Sequence, residues 1–208
     1  MKKIFYLIIA MVMCAGNISA QHEVGTFTVQ PKAGLNIAYF SDDAGALGVD
    51  TKPRLGLVCG IEVEYQLMKK LSLSAGALYS MQGEKAKIAG NYFNSERTVT
   101  AKTDYINFPI LANFYLFKGF ALKVGVQPAV NVKASYTSSG AFGETDGNLS
   151  YYGINIRTFD LAIPFGISYE YKNFVLEARY NLGVTNIVKG DDSKNRVAQI
   201  TIGRKFSL

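Results

Sequence analysis

The stretch from Tyr105 to Tyr136, YINFPILANFYLFKGFALKVGVQPAVNVKASY, narrows the possible folds more than any other part of the chain. Ile106, Phe108, Ile110, Ala112, Phe114 and Leu116 alternate with Tyr105, Asn107, Pro109, Leu111, Asn113 and Tyr115. After Phe117-Lys118-Gly119 the alternation restarts. Phe120, Leu122, Val124, Val126, Val130 and Val132 are then set against Ala121, Lys123, Gly125, Gln127, Asn131 and Lys133. Successive side chains of a strand point to opposite faces, so period-two alternation on both sides of a short polar break predicts a β-hairpin. Its strands run roughly 12 to 16 residues, against about 5–6 in ordinary soluble proteins. The polar face carries Gly, Asn, Gln and Lys, which suit a wetted interior better than open surface. The expectation is one hairpin of a transmembrane barrel.

The same pattern recurs along the chain. Further strands are expected at about 27–40, 54–66, 71–83, 155–171, 174–187 and 196–208, which with the central hairpin makes eight. Polar stretches at 41–53, 84–103, 137–153 and 188–195 read as long loops, and short turns fall at 67–70, 117–119 and 172–173. Long and short connections therefore alternate, as in an outer-membrane barrel with short periplasmic turns and longer outside loops. The predicted fold class is all-β: an eight-stranded antiparallel up-and-down transmembrane β-barrel with both termini on the periplasmic side. A soluble carrier of lipocalin type would share the topology but turn its apolar face inward. Its water-facing exterior would be rich in Lys and Glu, whereas the polar faces here are mostly Gly, Ser, Asn, Gln and Thr. The apolar faces run for about ten residues, near the 9–11 that cross a bilayer. Tyr39, Tyr65, Tyr79, Tyr169 and Phe206 fall toward strand ends, as an aromatic girdle would.

Met1-Lys2-Lys3, the apolar run Ile4 to Ala15 and a small residue at Ala20 read as a cleaved secretory signal peptide over 1–20. The barrel domain is then 21–208. Cleavage removes Cys14, leaving Cys59 as a small hydrophobe on an apolar strand face. It also removes Lys2 and Lys3, which lowers the formal charge of +6 to +4. The remaining basic residues are scattered and match no nucleic-acid-binding pattern, so nucleic acid is not an expected partner.

Charged residues on the inward phase need partners, because an unpaired charge in a narrow lumen is costly. Glu62, Glu64, Lys123, Glu177 and Arg179 are these candidates, and a salt-bridged network is expected to plug the barrel. An ion path lined by the same residues is the alternative. No catalytic, cofactor or metal site is expected. The single histidine, His22, stands outside the barrel, which leaves hydroxyl nucleophiles without a base. Asp42-Asp43 and Asp191-Asp192 read as solvated loop carboxylates, and Asn148-Leu149-Ser150 as a chance glycosylation match. Tyr92, Phe93, Phe142, Tyr151 and Tyr152 supply loop aromatics, read as an upper girdle in preference to a recognition surface.

PKAGLN (31–36), GALYSMQGEK (76–85), DYINFPILANFYL (104–116), VGVQPAV (124–130) and ARYNLGVTNI (178–187) resemble, in order, segments of the PorT-like outer-membrane β-barrel family. That resemblance implies an integral protein of the Gram-negative outer membrane and an eight-stranded barrel. One branch of the family is tied to gliding and type IX secretion. The family often ends on an aromatic residue, whereas this chain ends Phe206-Ser207-Leu208. The expected function is a non-enzymatic envelope structural or surface-interaction role, exercised by a monomer through its outside loops. Its partners would be outer-membrane lipid and envelope or secretion proteins, with no cofactor. A secretion component, a lipid-modifying enzyme and a soluble carrier are the alternatives.

Overall fold

A computed structural model describes residues 23–41, 50–88, 97–140, 143–149, 156–188 and 192–208. The expected signal peptide, His22, Asp42-Asp43, Asp191 and the five loop aromatics lie outside the described residues.

The chain forms β1 (Phe27–Ser41), β2 (Asp50–Met68), β3 (Leu71–Ile88), β4 (Arg97–Asn107), β5 (Ile110–Phe117) and β6 (Phe120–Gly140). It continues through β7 (Gly143–Asn148), β8 (Phe159–Tyr171), β9 (Phe174–Gly183), β10 (Lys194–Arg204) and β11 (Phe206–Ser207). Each strand runs antiparallel to its neighbours, and β10 returns to pair with β1 from Lys32↔Gly203 to Ser41↔Lys194. The ring of spanning strands is closed, and β7 lies outside it, paired with β6 alone. Closure satisfies the backbone internally, which a strand crossing hydrocarbon requires.

Eight spans make the ring. β4 and β5 form one, interrupted at Phe108-Pro109, and β10 and β11 form another, interrupted at Lys205. Pro109 has no amide hydrogen to give the ladder, yet its carbonyl still accepts from Gly76 N at 3.0 Å. The in–out phase survives this break. Ile106 and Phe108 face outward before it and Ile110 and Phe114 after it, while Tyr105, Asn107, Leu111 and Asn113 are buried.

The outer surface is an apolar belt of exposed side chains, among them Leu35, Leu57, Ile61, Phe165, Leu176 and Ile202. Cys59 lies on this exposed face. Aromatic pairs edge the belt at the short-turn end: Phe27 with Tyr65 at 4.5 Å between ring centroids, and Phe117 with Phe120 at 4.8 Å. There the Arg204 guanidinium lies 5.2 Å from the Phe206 ring and 5.5 Å from that of Phe174. Tyr39 and Tyr180, with hydroxyls 3.0 Å apart, mark the opposite edge. Such rings, apolar in body and polar at the tip, suit the two boundaries of a bilayer.

The connections differ from the sequence expectation: β2 begins at Asp50, inside the expected loop, while β8 begins only at Phe159 and β9 ends at Gly183. The polar stretch 84–103 is not all loop: β3 continues through Ile88 and β4 begins at Arg97, paired from Gly83↔Lys102 to Ile88↔Arg97. β6 runs on to Gly140 and turns back as β7, paired from Ser135↔Asn148 to Gly140↔Gly143. The sheet thus stands above the belt as a polar wall made by β2, β3, β4, β6 and β7. Hydrogen-bonded ladders persist there without apolar alternation: Tyr136, Thr137 and Ser138 are buried in succession, while Ser139, Glu144 and Thr145 are exposed.

Candidate functional site

The inward face of the barrel is polar and packed. Two layers of ionised side chains cross it. The middle layer gathers Lys32 from β1, Glu62 from β2, Lys123 from β6, and Glu177 and Arg179 from β9. Glu62 accepts from Lys32 Nζ at 2.5 Å, Lys123 Nζ at 2.8 Å and Arg179 Nη2 at 3.2 Å. Glu177 accepts from Lys123 Nζ at 2.8 Å and Lys32 Nζ at 3.3 Å, and it also pairs with Arg179. All five side chains are almost wholly removed from solvent.

Glycines in register make room for this layer. Lys32 lies between Gly60 on one neighbouring strand and Gly203 on the other. Gly76 faces Glu62, and Gly166 separates Lys123 from Arg179. A Cβ on Gly166 would lie 2.4 Å from Ala178 O and 3.2 Å from Arg179 Cβ. Long and absent side chains alternate around the ring, which lets a small barrel fill its interior at this level.

The second layer lies toward the short-turn end. Lys205 Nζ reaches Glu64 Oε2 at 2.9 Å and Glu170 Oε2 at 3.0 Å, and donates to Tyr115 Oη at 3.2 Å. Ser72 Oγ donates to Glu64 Oε1 at 2.6 Å, and Tyr115 Oη donates to the same oxygen. Asn113 extends the network to Ser72 and Ser74 at 3.0 and 3.3 Å. One positive charge is in excess in the middle layer and one negative charge in this one, so the two together are neutral.

Toward the long-loop end the lumen carries hydrogen-bonded polar groups. Asp160 accepts from Thr185 Oγ1 at 2.6 Å and from Asn195 Nδ2 at 2.7 Å. Arg54 stands 3.6 Å from Asp104. A void lined by Gln82, Asn107, Gln127, Asp160, Asn181 and Asn195 measures only ≈ 10 Å³, room for about one water.

Of the five residues singled out in the sequence, Glu62, Lys123, Glu177 and Arg179 meet in the middle layer. Glu64 does not join them and belongs to the second. Lys32, Glu170 and Lys205 complete the layers without having been singled out. Lys32 and Glu170 already stood on the polar phase of their strands. Lys205 is flanked by the outward residues Arg204 and Phe206, so its inward phase was legible in the same way. Among the described residues no group of three His, Cys, Asp or Glu side chains is arranged to hold a metal ion.

The family model for the outer membrane protein beta-barrel domain matches residues 19–189. No curated protein matches the chain. Among solved structures, Ail of Yersinia pestis in complex with the heparin analogue sucrose octasulfate is 13% identical, at a TM-score of 0.48. That match covers 88% of this chain and 100% of Ail. OprG of Pseudomonas aeruginosa is 15% identical, with a TM-score of 0.47, over 91% of this chain and 99% of OprG. Neisserial surface protein A is 16% identical, with a TM-score of 0.43, over 86% of this chain and 97% of that one.

Proposed function

The chain belongs to the outer membrane protein beta-barrel domain family, a barrel of the Gram-negative outer membrane, and we propose that it is a sealed, non-enzymatic surface-interaction protein. The observation that carries this reading is the polar wall. About 9–11 residues suffice to cross a bilayer in a tilted strand. β2 has 19 residues, β3 has 18 and β6 has 21, and their surplus lies at the long-loop end. In outer-membrane barrels that end faces outward and the short turns face the periplasm. A rigid sheet projecting into water, extended by the β6–β7 hairpin, presents side chains and backbone on a fixed frame for a partner.

The filled lumen supports the sealed part of the reading. Eight strands leave an interior that side chains can fill, and the two ionised layers close it. The non-enzymatic part is supported by where the lumen carboxylates point. Those of both layers face cations, with hydroxyl donors added at Glu64, rather than an open cavity. The PorT-like segments support a narrower assignment, in which a secretion apparatus would be the partner.

Photo-crosslinking in cells separates these outcomes. Crosslinkers at Ser139 and Thr145 on the wall are expected to capture an envelope or external partner, and removal of 141–148 to abolish that capture while the barrel still assembles. Capture only from the short turns at Lys69, Lys118 and Lys172 would overturn the surface reading in favour of periplasmic docking.

A further inference from the structure

The outward face of β10 reads Lys194, Arg196, Ala198, Ile200, Ile202 and Arg204, with cations at both ends of an apolar run. Around it the belt is not smooth. Ala33 on β1, Ala178 on β9 and Ala198 on β10 leave the backbone thinly covered, while Leu35 and Phe165 rise on the two sides. The result is a groove of ≈ 790 Å³ with an almost wholly apolar lining. Ile200 and Ile202 within it are 57% and 59% exposed, left uncovered by the described residues.

The outer end of this groove is polar in a specific way. Arg196 is paired with Tyr39, and Ala198 with Tyr180. The two tyrosines therefore meet across β10, their hydroxyls 3.0 Å apart. Arg196 stands just beyond them on the same face, half-buried, and donates from Nη1 to Gly183 O at 3.1 Å. A guanidinium has five N–H donors, so this bond leaves others to offer. Lys194 is the next outward residue on the strand. Asp192, two positions earlier in the chain, accepts from Asn186 Nδ2 at 2.9 Å.

We propose that this groove binds a phosphate-bearing lipid of the outer leaflet. One acyl chain lies over Ala178 and Ala198, and the phosphate sits on Arg196 and Lys194. The apolar part follows from position, since a hollow in the belt faces hydrocarbon. The phosphate follows from charge: Arg matches phosphate oxygens in a two-pronged geometry, and cations at a membrane surface attract anionic headgroups. Tyr39 and Tyr180 place hydroxyls at the boundary between the two, where the ester or amide links of such a lipid lie. A second copy of the chain fits less well. Two copies in one membrane share an orientation, and a twofold contact through this face would set Arg196 and Lys194 against their own equivalents.

The test uses the purified barrel in phosphatidylcholine nanodiscs, with bound lipid counted by native mass spectrometry. Three probes are offered: lipid A carrying its phosphates, its dephosphorylated form, and glucosamine phosphate without acyl chains. Lipid A with phosphates is expected to be retained over the dephosphorylated form, and glucosamine phosphate not to bind. The double variant Lys194→Gln/Arg196→Gln should weaken lipid A retention by about 30-fold, as expected for two interfacial cations. Ala178→Phe, which fills the floor, should weaken both acylated forms alike. Heat-modifiable gel migration shows that each variant is folded. Equal retention of the two acylated probes would overturn the proposal, as would an unchanged double variant. Binding of glucosamine phosphate alone, or pairing of two copies that Ala178→Phe abolishes, would overturn it too.

Discussion

Replacing Glu62 with alanine removes one of the two carboxylates that hold the middle layer together. Its carboxylate accepts from Lys32 at 2.5 Å, Lys123 at 2.8 Å and Arg179 at 3.2 Å. After its removal those three cations share Glu177 alone, and the excess of one positive charge becomes two. Removing one partner from a buried ion pair costs about 3–5 kcal/mol, chiefly because the remaining charge is left without compensation. Three stranded partners put Glu62→Ala at the upper part of that range. Glu62→Gln keeps the volume and an acceptor oxygen, and is expected to lose most of the same amount because the missing quantity is charge. The second-site variant Glu62→Gln/Lys32→Met returns the layer to its original balance and should recover at least about half of the loss. The assay is equilibrium unfolding in urea, performed in lipid vesicles and followed by tyrosine fluorescence, with equal slopes checked across variants. A loss below about 1 kcal/mol for Glu62→Ala, the size of an exposed pair, would refute the claim that these charges are sequestered. Failure of Lys32→Met to rescue would refute the charge-balance argument.

Further predictions concern packing, turns and the second layer. Gly166→Leu should block assembly into the heat-modifiable form on gels, because even its Cβ would lie 2.4 Å from Ala178 O. Lys172 and Asn173 turn between β8 and β9 with φ of 48° and 68°. Two-residue turns of that hand favour Asn-Gly, so Lys172→Asn/Asn173→Gly should raise stability by about 0.5–1 kcal/mol in the same urea titration. Lys205→Met leaves Glu64 and Glu170 without the cation between them and should cost about 3 kcal/mol. Its effect should add to that of Glu62→Gln if the two layers act independently.

The architecture was legible wherever one strand face met hydrocarbon and the other met the lumen. Leu55, Leu57, Cys59 and Ile61 could be set against Gly56, Gly60 and Glu62 because burial imposed the period. Legibility stopped where that contrast stopped. From Glu84 to Ile88 and from Arg97 to Thr103 the ladder continues, but most of these side chains are polar and half-buried without alternation, so sequence alone reads loop. Register was hidden for a different reason. The layer joins Lys32 to Glu177 across 145 positions of chain, and only the closure of β1 on β10 brings them near. Period two assigned Glu62 and Glu64 to one face, yet their heights along the axis differ by one inward step. That step sends Glu62 to Lys123 and Glu64 to Lys205. Shifts in pairing, as between Asp104 and Tyr105 or Pro53 and Val58, alter such heights without leaving a mark in the alternation.

Current through single barrels in a planar bilayer tests the sealed lumen most directly. The wild-type protein, inserted in folded form as shown by its gel migration, is expected to pass no steady current. The variant Lys32→Ala/Glu62→Ala/Lys123→Ala, which removes much of the middle layer, should show openings if it still folds. Lys205→Met, which keeps that layer intact, should remain silent. Steady ion-selective current through the wild-type barrel, altered in selectivity by Glu62→Gln, would contradict the account and make the same charges the lining of a channel.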